Sequence, residues 1–319
     1  MSIATKTQAP GVEKLVASPI DAAIMAAESH AEQSMFVQDC LAIAKPRLSI
    51  LVLLSVVAGF VLATPAELDL MRLLHAVLGT ALVAIGSGAL NQVLERKTDA
   101  LMERTKNRPL ATGRMNPGSV LLFGAASSIA GLLYLAVQTN LDTSLLAAVT
   151  LLLYVFVYTP LKAVTPLNTL VGAVPGALPP LIGWAAVAET ADLNIKAWSL
   201  FMILFIWQLP HFLAIAWIYR HDYSRAGLQM WPTVDPDGDV TGRQVVVQSL
   251  LLLPLSLLPC VFRLSGPLYL LGAAVLGLAF LAFGINFAVR KTDRAARQLF
   301  LASVIYLPLV LGLMMYDRL

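Results

Sequence analysis

Charge is scarce in this sequence. Asp, Glu, Lys and Arg supply 13% of the 319 residues while 58% are hydrophobic, whereas a soluble domain carries roughly 25% charged residues. That shortage excludes water as the main solvent of the chain. Cysteine is scarcer still, with only Cys40 and Cys260, so no disulfide framework or cysteine-rich zinc site can form, and both are read as unpaired thiols. The net charge of +3 gives no general attraction for polyanions, and no nucleic-acid partner is expected. The opening MSIATKTQAP lacks the basic start and apolar core of a secretory signal. Glu13, Asp21, Glu28, Glu32 and Asp39 make the N-terminal stretch too acidic for an organelle transit peptide. The expected location is a bacterial inner membrane.

Apolar runs, by contrast, recur almost without interruption. A spanning helix needs roughly 20 mostly apolar residues, and nine segments qualify, near 48–65, 73–93, 118–137, 143–160, 167–188, 197–218, 245–263, 267–289 and 299–316. The expected fold is an all-α membrane protein of about nine transmembrane helices around a central cavity, with helix-loop caps on the cytoplasmic side. Residues 1–44 are expected to form a cytoplasmic tail, partly disordered or interfacial, and 45–319 the membrane domain. With the N-terminus cytoplasmic and the C-terminus periplasmic, 18 of the 22 Lys and Arg fall inside, leaving Arg72, Lys196, Arg263 and Arg318 outside, as the positive-inside rule requires. The two long loops, about 94–117 and 219–244, then share the cytoplasmic face, and their spacing hints at two related halves. Pro166, Pro175, Pro179, Pro180 and Pro210 crowd the fifth and sixth spans. Kinks in lipid are tolerated where protein or a water-filled cavity satisfies the freed carbonyls, so these helices are expected to line the cavity.

The polar residues gather at that face. Asn91, Glu95, Asp99 and Glu103 stand four apart and make one oxygen-bearing stripe if the helix continues. Magnesium prefers hard oxygen ligands and bridges a carboxylate or two to substrate phosphates, which suits Asn91, Glu95 and Asp99; Glu103 fits a surface ion pair equally well. Arg104, Lys106 and Arg108 follow, cations able to grip phosphate oxygens. The second long loop brings His221, Asp222 and Arg225 to the same face, with Asp222 the candidate ligand. Asp235, Asp237 and Asp239 lack the Glu of a calcium loop and are read as turn chemistry. Tyr158 and Lys162 sit at the mouth of the fourth span, near Asn168, where Lys162 fits a phosphate contact or, with the tyrosine, an interfacial anchor. His211 lies inside an apolar span beside Pro210, and such a residue needs a partner or a function.

These segments together resemble the UbiA-type intramembrane prenyltransferases, in particular the branch that farnesylates heme. The resemblance runs over most of the chain after Lys45 through AKPRLSILVLL at 44–54, NQVLERKTDALMERTKNRPLATGRM at 91–115, YTPLKAVTPLNTLVGAVPGALPPLIGW at 158–184, WQLPHFLAIAWIYRHDYSRAG at 207–227 and DPDGDVTGRQ at 235–244. It implies nine helices around a cavity open to the lipid bilayer. It also implies magnesium as cofactor, farnesyl diphosphate and heme B as substrates, and heme O as product. The family's Asn-Asp-Asp motif falls on Asn91, Glu95 and Asp99, so Glu95 departs from it. Its second motif leaves only Asp222, since Ala226 replaces the other acid. Its Tyr-to-Lys motif falls on Tyr158 and Lys162, favouring the phosphate role. The resulting metal set is Asn91, Glu95, Asp99 and Asp222. The diphosphate set is Arg104, Lys106, Arg108, Tyr158, Lys162 and Arg225. His211 is the heme candidate, as an iron ligand, a propionate partner, or a structural hydrogen bond to a freed carbonyl. Heme A synthase or terminal oxidase assembly proteins are the candidate protein partners. Prenylation of an aromatic quinone or chlorophyll precursor, a transporter and a non-catalytic assembly factor are the competing readings.

Overall fold

Helices of this length form because the backbone, once in lipid, must satisfy its own hydrogen bonds, and the sequence starts them with polar caps. The computed structural model describes residues 35, 37–64, 67–187 and 192–319. Residues 1–40 and 41–319 form separate units, and the expectations for the tail fall almost wholly outside the described residues. In the larger unit α1 runs Pro46–Ala63, α2 Leu70–Asp99 and α3 Pro117–Gln138. The next helix, α4, is Leu141–Leu152, continued by a π-helical turn Leu153–Tyr158 and by Thr159–Leu161. Then come α5 Asn168–Ala177, α6 Pro179–Ala185, α7 Ile195–Ile218, α8 Arg220–Arg225 and α9 Trp231–Val234. The chain ends with α10 Asp239–Val261, α11 Pro267–Arg290 and α12 Asp293–Tyr316. Side chains of Asp69, Asn116, Asn140, Asn194 and Thr292 accept from first-turn amides of α2, α3, α4, α7 and α12, supplying acceptors for donors that a helix start leaves over.

The class is all-α and multi-pass as expected, while the count of nine continuous spans is not reached among the described residues. Seven helices among the described residues are long and apolar enough to cross a membrane, or eight if Val37–Ala44 and Ser49–Ala63, which bend at Lys45, count as one span. The fifth expected span, 167–188, is instead two pieces, α5 and α6, because Pro179 and Pro180 lack the amides that would bond back into α5. Both pieces are largely buried. Gln208 of α7 donates its Nε2–H to the Ala173 carbonyl at 2.7 Å, so protein rather than lipid meets the broken stretch.

The core centres on α7, which buries Leu200, Ile203, Trp207 and Leu213 and packs against α10 and α12. Tyr269 and Tyr306 are buried there, and both hydroxyls are satisfied by Ser256 at 2.7 and 2.6 Å. On the other side α1 touches α6 almost backbone to backbone. A Cβ on Gly59 would lie 1.9 Å from the Pro180 carbonyl oxygen, and one on Gly183 would lie 1.9 Å from that of Val56. Small residues permit this approach where no hydrophobic drive holds helices together. Gly59→Ala and Gly183→Ala should each destabilise by about 1–3 kcal/mol through overpacking. Gly312→Ala, whose Cβ meets nothing within 4 Å, should not; thermal unfolding of the protein in nanodiscs compares the three.

Candidate active site

Of the row expected on one helix, Asn91, Glu95 and Asp99 lie on α2, but the helix ends at Asp99 and Glu103 falls in the turn beyond it. Asn91 and Asp99 are 1% and 2% exposed, and the Glu95 side chain is 14% exposed, so the row points into the bundle near its cap end. Each polar group there already has a counterpart. Lys162 Nζ lies 2.6 Å from Glu95 Oε1, and Arg108 Nη1 lies 2.7 Å from Asp99 Oδ2. Lys45 Nζ donates to Asn91 Oδ1 at 2.9 Å, and Asn91 Nδ2 donates to Thr159 Oγ1 at 3.1 Å. Burial works against the Lys162 ammonium, yet the tyrosines and the Glu95 carboxylate beside it more than offset that and hold it above its usual range.

Local structure aims these groups. The π-helical turn inserts an extra residue before Thr159. Thr159 Oγ1 donates back to the Tyr154 carbonyl at 2.9 Å and can therefore accept from Asn91. Lys162 Nζ stands 4.4 Å over the Tyr158 ring, and that ring fits only because Gly172 has no Cβ, which would meet it at 2.5 Å. The Lys162 carbonyl accepts from Gln229 N–H at 2.6 Å, and Asn168 Nδ2 donates to the Gln229 carbonyl at 2.5 Å. The second loop thus clamps the lysine.

The two loops meet above. Asp222 Oδ2 accepts from the Arg104 amide at 3.3 Å, and Arg225 reaches Asp222 at 3.5 Å and Glu103 at 3.3 Å. The Arg104 guanidinium sits 4.5 Å over Tyr219, and Met102 joins Tyr223, Leu228 and Met230 in a small apolar cluster. Lys106 pairs with exposed Glu103, not with the buried acids. The expected residues therefore form two tiers, with Asn91, Glu95, Asp99, Arg108, Tyr158 and Lys162 within and Asp222, Arg104, Arg225 and Lys106 outside. Asp235 behaves as turn chemistry should, since its Oδ2 accepts both N–H and Oγ1–H of Thr241.

Among the described residues no three carboxylate, imidazole or thiol groups converge as a metal cluster, because each acid is turned to a base. The donor set still suits a hard cation. Buried Asp99 Oδ1 has no hydrogen-bond partner, an unmet acceptor of the kind such an ion satisfies.

Beneath the inner tier lies a mostly apolar cavity of about 350 Å³. Lys45, Tyr158 and Lys162 line its cap end, Leu51, Val52 and Leu204 its walls, and Gln208 and His211 complete it. His211 Nδ1 lies 2.7 Å from Ser303 Oγ. Lys45 was missed by the sequence reading, which counted it only as a basic residue before the first span; its place beside Pro46 was the available signal. Thr159 and Ser303 gave none.

The sequence model of the UbiA prenyltransferase family matches residues 52–307. The chain belongs to the UbiA prenyltransferase family. This UbiA prenyltransferase is 47% identical over 290 residues to the protoheme IX farnesyltransferase of Solibacter usitatus, covering 88% of the chain and 99% of the relative. It is 43% identical over 284 residues to that of Koribacter versatilis, covering 86% and 91%. Its fold is similar to that of a structure of digeranylgeranylglyceryl phosphate synthase, with a TM-score of 0.73 at 16% identity over 88% of this chain and 98% of the other. A UbiA homologue from Archaeoglobus fulgidus bound to GPP and Mg2+ superposes with a TM-score of 0.61 at 16% identity over 86% and 99%.

Breaking the inner pair should leave a buried, unmatched lysine. Glu95→Leu is expected to cost about 3–5 kcal/mol, and Glu95→Leu with Lys162→Leu should recover most of it. Glu103→Leu, at an exposed pair, should leave the thermal midpoint in nanodiscs unmoved. Equal losses in the single and double inner variants would count against the pair.

Proposed function

We propose that this chain transfers the farnesyl group of farnesyl diphosphate to a vinyl group of heme B and, with addition of water, yields heme O and diphosphate. The reading rests on the protoheme IX farnesyltransferases that are 47% and 43% identical over nearly their whole length. What supports it in the fold is an apolar cavity closed at one end by the inner tier of acids and bases. Prenylation of an aromatic acceptor would use the same tier, but the relatives named here favour heme. The protein sits in a bacterial inner membrane with both loops cytoplasmic and the C-terminus periplasmic, which the distribution of Lys and Arg supports.

Magnesium held through oxygens of Asn91, Glu95, Asp99 and Asp222 would take up negative charge from the departing diphosphate. The chain's own bases do the rest of the binding. Lys162 and Arg108 leave Glu95 and Asp99 for phosphate oxygens, Lys45 leaves Asn91, and Arg104, Lys106 and Arg225 close over the outer side. The allylic carbon–oxygen bond breaks toward a group stabilised by fixed cations, as preorganised charge requires. Apolar walls keep water from the allylic cation until a vinyl carbon forms the new carbon–carbon bond. The cation then left on the porphyrin side accepts a water oxygen and loses a proton. The Tyr154 and Tyr158 rings can face the positive charge.

In nanodiscs with heme B, farnesyl diphosphate and magnesium, mass spectrometry should find a farnesyl-plus-water adduct of heme that chelator abolishes. Asp99→Ala should lower turnover at saturating magnesium by about two to three powers of ten. Full turnover by that variant would remove Asp99 from the site, and an adduct on aromatic acceptors alone would move the chain to another branch.

A further inference from the structure

We infer that His211 is held as the Nδ1–H tautomer, so that Nε2 presents a lone pair to the cavity and ligates the iron of the porphyrin substrate; this rests on heme B being the acceptor.

The proton count comes from Ser303. Its hydroxyl carries one proton and lies 2.5 Å from the Phe300 carbonyl oxygen and 2.7 Å from His211 Nδ1. A carbonyl oxygen has no proton to offer, so the hydroxyl donates to Phe300. Toward His211 the same oxygen can then only accept, and Nδ1 must carry the hydrogen. The tautomer of a histidine ligand is set by the hydrogen bond its other nitrogen makes. The arrangement is rigid. Ser303 is fully buried, and its carbonyl accepts from Trp207 Nε1–H at 3.0 Å. The imidazole is stacked with Trp207 at 5.2 Å and tilted 34° to Phe300 at 5.2 Å.

With Nδ1 turned to Ser303, Nε2 is the nitrogen left for a molecule in the cavity that His211 lines. No carboxylate is among the described residues lining that cavity, so nothing there steadies a second proton on the ring. An unprotonated Nε2 repels a propionate, which needs a donor, but is the usual imidazole ligand for iron. The cations of the same cavity, Lys45 and Lys162, stand at its cap end, where the proposed reaction gives them to diphosphate. The structure thus separates two recognition tasks, iron at His211 and phosphate at the lysines. Ser303 is a positioning residue in this scheme.

The test titrates heme B and iron-free protoporphyrin IX into the full-length protein in nanodiscs, reading affinity and, for heme, the optical and electron-spin spectra of the iron. The wild type should bind heme B more tightly than the iron-free ring and show a nitrogen-ligated iron. His211→Gly should lose that signature and regain it with added imidazole. Ser303→Ala should weaken heme B binding roughly 10- to 100-fold while leaving the iron-free ring unaffected. Equal affinity for both rings in the wild type, or an unchanged iron spectrum in His211→Gly, overturns the inference while leaving heme as substrate. Binding of neither ring overturns the farnesyl-to-heme reading and this inference with it.

Discussion

Glu95 and Lys162, 2.6 Å apart with each side chain 14% exposed, set the condition that the cap end of the bundle has to meet. An ion removed from water costs several kcal/mol even after the protein relaxes, so a carboxylate there must be answered by a cation within reach. Asp99 obeys the same rule through Arg108. Asn91, neutral itself, receives the Lys45 ammonium. The loops then follow as consequences. The second loop clamps the Lys162 carbonyl through Gln229, and the first carries Arg108 back under its own turn toward Asp99.

The bundle below is shaped by a different demand, a cavity that lipid does not fill. Breaking the fifth crossing at Pro179 and Pro180 frees backbone groups, and such groups survive at membrane depth only where protein or a cavity meets them. Here Gln208 meets one of them, and α6 is pressed onto α1 at Gly59 and Gly183. Continuous helices would pack along their lengths. The break lets Gly172, Pro175, Gly176 and Pro179 line the cavity instead. The π-helical turn acts likewise on α4, carrying Tyr154 and Tyr158 to the same wall.

Much of this was legible in the sequence. The four-residue step of Asn91, Glu95 and Asp99 placed them on one face because a helix turns by 100° per residue, and the cap end was marked by where Lys and Arg gather. The helix count was less legible. A window of apolar residues reports solvent preference but not continuity, so 167–188 passed as one span although its paired prolines argued for a break. Partners were the least legible. Glu95 departs from the family pattern in length, and its pairing with Lys162, 67 residues away, depends on tertiary contact. Lys45 looked like an ordinary membrane-surface base, and Ser303 like any small residue in an apolar helix. Their partners, Asn91 and His211, are met only through tertiary packing, which no local pattern encodes.

In the proposed reaction the ion pairs also explain how such a site can be stable before substrate arrives and still bind a highly charged one. A bare cluster of acids awaiting a metal would repel itself, and a bare cluster of bases awaiting diphosphate would do the same. Interleaving them lets each hold the other in place. A metal diphosphate would let Lys162 and Arg108 exchange a carboxylate oxygen, and Lys45 the Asn91 amide oxygen, for phosphate oxygens, while Glu95 and Asp99 would take a metal in place of an ammonium and a guanidinium. Charge is redistributed, not created, so the large cost of burying ions is met once, during folding. What remains for binding is the difference between the ligand-free and the ligand-bound pairings. The ion pairs would close again as diphosphate departs, and the unmatched Asp99 Oδ1 marks where the ligand-free arrangement is least complete.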